Sequence, residues 1–378
     1  MTDVEAQISA TPARGAPTPP LRVISLDVFR GTVIAAMLLV NNLIWTPRTP
    51  RQLMHAPWGQ GVTFTDMIFP WFILAMGVAI PFSSGSAQGW GQPVWRYLLR
   101  AARRSGLLII LGMMIDSVVA HRLSLGMGVL QLLGLAYFAG VLAARLPSAA
   151  RVLLAGACLA AHWALIRFVP VPGAAAPTFE ADLNIIKYLN EVYLGPRHLA
   201  GVISVVPTSA LVILGTLLGD RLRRPPLRGW KGAAALFTAG TALAAVGWLL
   251  QHDLPFNKPV WSASYILFAG GMGTLVLGLC YLAFDLAGLR GAAYPFAVFG
   301  ANAILVYVAS ILSKVLILQS VGPRRQDEHA VSLQQALVGY LSARFGPELG
   351  GWMYTIAFIV FWWLVLLSLY RRRIFIRV

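Results

Sequence analysis

The sequence predicts an all-α polytopic integral membrane protein with about ten transmembrane helices and both termini in the cytoplasm. The first reason is composition. The 378 residues are 58% hydrophobic and only 12% charged, with a mean hydropathy of +0.70, whereas a soluble domain usually carries about 25% charged residues. The second reason is the recurrence of apolar runs of about 17–25 residues, the length that a helix needs to cross a bilayer. The third is the alternation of basic and less basic connections between these runs.

The apolar runs define the predicted spans. Helices are expected, because only helices and closed barrels satisfy their backbone hydrogen bonds in lipid, and these runs are too long for barrel strands. The predicted spans are approximately 24–44, 62–83, 105–119, 125–144, 149–169, 199–218, 232–250, 261–284, 295–318 and 352–370.

Arginine and lysine concentrate in every second connection, and this bias orients the chain. The basic segments contain Arg96, Arg100, Arg103 and Arg104; Arg145 and Arg151; Arg221, Arg223, Arg224, Arg228 and Lys231; Arg290; and, in the C-terminal tail, Arg371, Arg372, Arg373 and Arg377. The positive-inside rule places these segments and both termini in the cytoplasm. The net charge of +16 is therefore assigned to orientation and to contact with membrane lipids, and nucleic acid is not expected as a partner.

The segments outside the spans complete the domain organisation. Residues 1–20 are polar and rich in Pro, Ala and Thr, which predicts a disordered cytoplasmic tail and not a signal peptide. Since no internal repeat is visible, residues 21–378 form a single predicted domain. The long segments 170–198 and 319–351 are expected outside. The first is predicted to hold a short amphipathic helix, and the second a helix over 333–345 at the membrane interface.

Several chemistries lack their sequence signatures. There is no Gly-x-x-x-x-Gly-Lys-Ser/Thr, no His-x-x-x-His and no Gly-x-Ser-x-Gly, so ATP-driven transport, zinc hydrolysis and serine hydrolase chemistry lose support. The two cysteines, Cys158 and Cys280, lie inside apolar runs. We expect them to pack as small side chains, and we expect no metal site.

Two polar residues flank the start of the second span. His55 precedes it and Asp66 lies just inside it. An ionised Asp within a membrane costs at least ~2.5–3.5 kcal/mol on insertion scales, so Asp66 should face a partner or a cavity. Two interpretations stay open for each residue: Asp66 caps or pairs structurally or serves a site, and His55 is an ordinary loop histidine or a proton acceptor.

The first span carries two further polar groups. Asp27 and Arg30 stand at i and i+3 near its cytoplasmic end, where they either pair with each other or leave Arg30 to meet an anionic ligand. Asn41 and Asn42 lie at its outer end. Their amides can donate to a developing oxyanion, or they can simply cap the helix.

Polar residues also recur late in the chain, in the eighth and ninth spans: Asn257, Lys258, Trp261, Ser264, Tyr265, Asn302 and Tyr307. Together these groups suggest a shared internal cavity.

The polar motifs, in this order, resemble the transmembrane acyltransferase family that includes heparan-α-glucosaminide N-acetyltransferase and its bacterial relatives. The resemblance covers roughly residues 22–310. Its motifs are S-L-D-V-F-R-G, V-N-N, H-A-P-W-G-Q-G-V-T-F-T-D-M-I-F-P-W-F-I-L-A-M-G, G-V-L-Q-L-L-G-L-A-Y-F, N-K-P-V-W-S-A-S-Y-I-L-F and G-A-N-A-I-L-V-Y.

This resemblance implies transfer of an acetyl group from cytoplasmic acetyl-CoA, as co-substrate, to an amino sugar or glycan on the outer side of the membrane. It implies His55, Asn41 and Asp66 as catalytic residues, with His55 as general base or transient acyl acceptor. Basic groups such as Arg22, Arg30, Arg100, Arg103 and Arg104 are expected near the CoA nucleotide. The expected cofactor-binding residues are Arg30, Asp27, Gln131, Asn257, Lys258, Trp261, Ser264, Tyr265, Asn302 and Tyr307. A bacterial inner membrane is the expected location, and a homodimer is left open.

Two departures from the family pattern bear on donor and acceptor. Gln131 is followed by Leu132, where relatives commonly have an Arg that could serve a CoA phosphate. The family's Asp-Pro-Glu-Gly segment is not recognisable near residues 198–207. The main alternative function is a transporter or flippase for a polar or lipid-linked solute that uses the same cavity. A non-catalytic membrane scaffold and transfer of a different acyl group are further alternatives.

Overall fold

A computed structural model describes residues 23–84, 93–223, 229–320 and 331–376. The described residues are helices joined by turns, and their β-structure is limited to an isolated bridge between Phe179 and Asn184. The predicted disordered tail, residues 1–20, and Arg22 lie outside the described residues.

The described part of the chain contains thirteen α-helices. They are α1 (Ile24–Asn42), α2 (Phe64–Ser84), α3 (Val94–Ala120), α4 (Val129–Ala143), α5 (Ser148–Phe168), α6 (Ile185–Tyr188), α7 (Val205–Arg223), α8 (Trp230–Leu250), α9 (Ala263–Cys280), α10 (Arg290–Ala301), α11 (Ala303–Ser313), α12 (Leu333–Phe345) and α13 (Pro347–Arg371). Helices α6, α9 and α11 continue into π-helical turns, at Leu189–Leu194, Tyr281–Leu286 and Lys314–Leu318.

The helices support a multi-pass membrane protein. Seven of the described helices are long and apolar enough to span a bilayer, and an eighth span results if α10 and α11, which meet at a 64° bend, are counted together. The predicted spans 105–119 and 125–144 correspond to α3, whose first turns are basic, and to α4, which has only 15 residues. Length and composition therefore support seven or eight spans in the described chain, and the ten-span topology with cytoplasmic termini stays a prediction.

Glycines bring α2 and α7 into backbone contact at the centre of the bundle. A Cβ atom added to Gly215 would lie 2.9 Å from the Leu74 carbonyl oxygen and 3.0 Å from Gly77 Cα. Lipid gives helices little hydrophobic reason to associate, so close backbone approach through small residues supplies the packing energy. This contact fixes α2, the helix that begins beside His55 and contains Asp66.

The connections at the end of the bundle that contains His55 pack on a small hydrophobic cluster of their own. Its buried members include Ile185, Leu254 and Val260, and Trp58 and Phe179 pack against it. The Trp58 indole N–H donates to the Phe179 carbonyl oxygen at 2.9 Å. The short helix expected within 170–198 is present as α6, and the cluster connects this segment to the loops that flank His55 and Lys258.

The helix predicted over 333–345 is confirmed as α12. Ser332 and Gln335 form a reciprocal capping box at its start, which satisfies two backbone N–H groups that the helix itself leaves unpaired. Gly350 lets α13 fold back closely on α12, because a Cβ there would lie 2.6 Å from the Ser342 backbone nitrogen. The position of α12 at the membrane interface stays a prediction.

We expect Gly215→Ala to lower the free energy of unfolding by about 1–3 kcal/mol, because the added methyl meets backbone atoms that cannot rotate away. The matched control is Gly156→Ala in α5, where a Cβ meets nothing within 4 Å and the substitution should be neutral or stabilising. Thermal unfolding in detergent measures both. Equal melting temperatures for the two variants would contradict the α2–α7 contact.

Candidate active site

The Asp66 carboxylate organises the loop that enters α2. Its side chain is only 3% exposed. The Oδ2 atom accepts backbone N–H groups from Ala56 at 3.0 Å and Thr63 at 3.2 Å, and the Thr63 hydroxyl lies 3.0 Å from it. Asp66 lies in the first turn of α2, where the helix dipole favours a negative charge. The carboxylate is thus buried but has donors, and it holds the loop against the helix.

His55 contacts the other carboxylate oxygen. Its Nδ1 atom lies 2.7 Å from Asp66 Oδ1, and the imidazole is 58% exposed. A carboxylate accepts hydrogen bonds, so we assign the proton of the neutral imidazole to Nδ1. This tautomer leaves Nε2 as the basic nitrogen, and no described residue donates a hydrogen bond to it. An imidazole whose orientation is fixed in this way by a buried carboxylate can act chemically as a general base.

Lys258 completes the group from a distant part of the chain. Its Nζ atom lies 3.2 Å from His55 Nδ1 and 3.6 Å from Asp66 Oδ1. With the Nδ1 proton donated to Asp66, the lysine cannot donate to the same nitrogen, so its attraction is to the carboxylate. Burial lowers the pKa of Lys258 from its ordinary value, and the charge of Asp66 opposes that change.

Polar and aromatic side chains hold the Lys258 loop in place. The Asn257 carbonyl oxygen Oδ1 accepts the Val260 backbone N–H at 3.1 Å, and the Ser262 hydroxyl accepts the Asn257 backbone N–H at 3.0 Å. Trp261 has a φ of 55°, a left-handed conformation that is uncommon for a bulky residue. The Ser264 hydroxyl donates to the Leu254 carbonyl at 2.7 Å. Asn257 and Ser264 are therefore used largely to shape the loop.

Tyr265 and two tryptophans connect α9 to α2. The fully buried Tyr265 donates its hydroxyl to the Asp66 backbone carbonyl at 2.7 Å. The Trp71 indole N–H donates to the Ala269 carbonyl at 3.0 Å, and the Trp261 ring packs edge-on against Phe69. The structure thus places Lys258, Trp261 and Tyr265 with His55 and Asp66, as side chains that line or support one site.

Asn41 lines a cavity that is separate from the site formed by His55, Asp66 and Lys258. The cavity has a volume of about 350 Å³ and is also lined by Asn42, Val119, Ser310, Ile311, Lys314, Val315 and Gln319. The Lys314 ammonium donates to the Asn41 backbone carbonyl at 2.7 Å. Within the described residues no hydrogen bond connects Asn41 to His55 or Asp66, so the expected catalytic trio is only partly brought together.

The remaining predicted residues are dispersed. Asp27 and Arg30 lie in the first half of α1, which packs closely on α10 through Gly31 and Gly300. Gln131 is buried, and its amide nitrogen donates to Asp116 at 2.6 Å.

Asn302 lies at the bend between α10 and α11, and Tyr307 lies within α11. The Asn302 amide nitrogen donates to the Ile374 carbonyl at 3.0 Å, and its oxygen accepts the Ile376 N–H at 2.8 Å. The structure therefore gives Asn302 a partner in the C-terminal segment, and its side chain is engaged in holding that segment. Tyr307 is partly buried against the hydrophobic core.

Sequence reasoning missed several polar groups inside the spans. Asp116 pairs with Gln131, and Lys314 faces the Asn41 cavity. The Asp285 carboxylate accepts the backbone N–H groups of Ile24 and Ser25, both at 3.0 Å, and so caps α1. The available signal was the same that singled out Asp66, namely an ionisable residue within an apolar run.

Comparison with known proteins agrees with these motifs. A family model described as "Heparan-alpha-glucosaminide N-acetyltransferase, catalytic" matches residues 22–257. The human protein named heparan-alpha-glucosaminide N-acetyltransferase is 28% identical in an alignment of 360 positions that covers 76% of this chain and 52% of the relative. The mouse protein of that name is 26% identical over 358 positions, covering 76% and 53%. The chain spans about half the length of the curated relatives it matches.

We expect Asp66→Asn to lower the free energy of unfolding by about 1–3 kcal/mol, because the donors from Ala56 and Thr63 lose a charged acceptor and Lys258 loses its counter-charge. Asp182→Asn is the matched control, since the Asp182 side chain is 95% exposed beside Lys187 and exposed pairs contribute little. Chemical denaturation of both variants in the same detergent gives the comparison. Equal stability losses would mean that the Asp66 contacts do not hold the loop.

Proposed function

The chain belongs to the heparan-α-glucosaminide N-acetyltransferase catalytic family, and from this premise we propose that it is a membrane-bound N-acetyltransferase. In this proposal an acetyl group moves from cytoplasmic acetyl-CoA to an amino sugar or glycan on the outer side of a bacterial inner membrane. The family model matches 22–257, which includes His55 and Asp66, and the two named relatives are N-acetyltransferases by name.

The observation that carries the proposal is the contact between His55 and Asp66. A buried carboxylate 2.7 Å from Nδ1 fixes one tautomer and stabilises the positive charge that the ring acquires when Nε2 takes a proton. The ring is exposed, so an acceptor can reach Nε2. A histidine that only held the loop in place would not need to leave its basic nitrogen, Nε2, without a hydrogen-bond donor from the described residues.

The proposed reaction has a simple balance. The acceptor nitrogen forms a bond with the acetyl carbon while the thioester carbon–sulfur bond breaks. His55 Nε2 takes the proton that the amine loses, and CoA leaves as a thiolate that recovers this proton. In a second route Nε2 first forms a bond to the acetyl carbon while the carbon–sulfur bond breaks and CoA leaves as a thiolate. The acceptor amine then forms its bond to the acetyl carbon, the Nε2–carbon bond breaks, and the proton that the amine loses passes to the thiolate. In both routes the Asn41 amide would donate to the carbonyl oxygen as negative charge develops there, which requires the thioester to reach from the Asn41 cavity to His55.

Basic groups at the other end of the bundle fit the charged part of acetyl-CoA. Arg100, Arg103 and Arg104 lie in the first turns of α3. Arg104 stacks on the Tyr137 ring at 4.6 Å from its centroid, and its Nε atom is buried without a partner among the described residues. Guanidinium groups are the usual partners of phosphates. These residues would hold the nucleotide while the acetyl end extends toward Asn41 and His55.

A transporter that uses the same cavity is the competing function. The bend between α10 and α11 is a feature that transporters place at their substrate sites. Here, however, the polar residue at the bend is Asn302, and both ends of its amide are taken by the C-terminal segment. The bend therefore offers a solute little free polar surface, which favours the transferase.

We expect His55→Ala to lower acetyl transfer from acetyl-CoA to glucosamine by at least about 10²-fold in reconstituted protein, because the proton acceptor is lost. Folding should be retained, since the imidazole is exposed. His252→Ala is the matched control, since His252 is an exposed histidine in the connection after α8 and its loss should leave the rate unchanged. Product formation is followed by mass spectrometry. Near-full activity of His55→Ala would exclude this mechanism.

The two routes are separated by an experiment without acceptor. If Nε2 carries the acetyl group, wild-type protein incubated with acetyl-CoA alone should gain the mass of one acetyl group on the peptide that contains His55. Under direct transfer that peptide should stay unmodified while product still forms once glucosamine is added. His55→Ala serves as the blank for labelling elsewhere in the chain.

A further inference from the structure

An apolar groove lies between α8 and α9, at the end of α9 that is remote from Lys258. Its volume is about 410 Å³, and it is lined by Trp230, Leu279, Leu282, Ala283, Leu286 and Ala287. Both walls belong to segments that are long and apolar enough to cross a bilayer, Trp230–Leu250 and Ala263–Leu286. The lining residues lie at the ends of these segments, so the groove opens where the bilayer meets water, the level at which Trp side chains are enriched.

A π-helical turn forms one wall of the groove. The chain changes from α-helix to π-helix at Tyr281–Leu286, and such turns occur frequently at functional sites. Three lining residues belong to this turn: Leu282, Ala283 and Leu286. The Tyr281 hydroxyl accepts the Gly229 backbone N–H at 3.1 Å, which holds the start of α8 against the turn. The two walls are therefore fixed by backbone contacts.

Two exposed cations are adjacent in the chain to residues of the groove wall. Lys231 follows Trp230 at the start of α8, and Arg290 begins α10. The connection before Arg290 folds back on the wall, because the Leu289 backbone N–H donates to the Ala283 carbonyl at 3.0 Å. Neither cation has a carboxylate of a described residue within 4.0 Å. One end of the apolar groove is therefore positively charged.

The acidic residue of the same turn does not neutralise this charge. The Asp285 carboxylate accepts the backbone N–H groups of Ile24 and Ser25, both at 3.0 Å. The two cations are thus available to an anionic ligand. The same contacts connect the turn that forms the groove wall to the start of α1.

We propose that this groove is a binding site for an anionic phospholipid, with an acyl chain against the apolar lining and the phosphate held by Lys231 and Arg290. An apolar surface beside two unneutralised cations complements a molecule that carries both groups, and basic pockets between membrane helices bind such head groups. The Arg290 guanidinium can donate two parallel hydrogen bonds to a phosphate. A zwitterionic lipid would bring its own ammonium toward the same cations, so the site selects net negative charge. Because Asp285 lies in the turn that the lipid covers, bound lipid also stabilises the start of α1.

The test is lipid binding to the purified full chain in detergent, measured by native mass spectrometry. Phosphatidylglycerol is the anionic probe, and phosphatidylcholine with the same acyl chains is the zwitterionic probe. We expect wild type to bind phosphatidylglycerol about tenfold more tightly or better, because each basic residue near the head group adds attraction. The double variant Lys231→Gln/Arg290→Gln should lose this preference. Arg96→Gln/Arg145→Gln, which removes two exposed charges from α3 and from the connection after α4, is the matched control and should keep it.

A second variant tests the apolar part of the site. Ala287 is exposed, so Ala287→Trp can fill the groove without disturbing the core, and it should weaken binding of both lipids. Should this variant fail to fold, phosphatidylglycerol must still raise the melting temperature of wild type and leave that of Lys231→Gln/Arg290→Gln unchanged.

Three results would overturn the proposal. The first is equal binding of the two lipids by wild type, and the second is an unchanged preference in Lys231→Gln/Arg290→Gln. The third is binding of inorganic phosphate as tight as that of phosphatidylglycerol, since the ligand would then be a free anion. None of these measurements needs turnover, so they stand apart from the His55→Ala test of the reaction.

Discussion

The buried charge of Asp66 is the interaction on which the loops that enter α2 and α9 depend. A carboxylate at the start of an apolar helix is strongly unfavourable unless donors surround it. The chain supplies donors from both sides, with Ala56 and Thr63 before α2 and Lys258 before α9. Each donor fixes the segment that carries it. The loop with His55 and the loop with Lys258 are therefore determined by one buried group, although 203 positions separate His55 from Lys258.

The same residue also sets the register of two helices. Tyr265 donates to the Asp66 carbonyl, and Trp71, five positions further along α2, donates to Ala269. A one-turn slip between α2 and α9 would break both bonds and would separate Lys258 from the carboxylate. The left-handed Trp261 lies between these contacts. Such a conformation persists only where its surroundings impose it, and here the aromatic contacts with Phe69 and Tyr265 do so.

Sequence reasoning predicted the elements best where one local rule decided the outcome. The apolar runs identified the long spans, and the spacing of apolar residues identified α12. The energetic cost of an ionised carboxylate within a span correctly predicted that Asp66 has a partner. It could not say which partner, because Lys258 approaches from a loop whose position depends on the packing of α9 against α2. Asn302 shows the opposite failure: an Asn within a span was expected to meet a ligand, but the C-terminal segment returns to use its amide. Nothing local to Asn302 encodes that return.

The contrast between His55 and Asp66 meets two demands that the proposed transfer places on a proton acceptor. In the proposed reaction the proton acceptor must be reachable by both substrates, so its own contacts must be few. It must also keep one orientation, which an exposed loop alone does not provide. The structure separates the two demands: the imidazole is exposed, and the rigidity resides in a carboxylate that is nearly inaccessible to solvent. Because Asp66 belongs to the first turn of α2, the helix fixed by the Gly77–Gly215 contact, the position of Nε2 is ultimately set by backbone packing in the centre of the bundle.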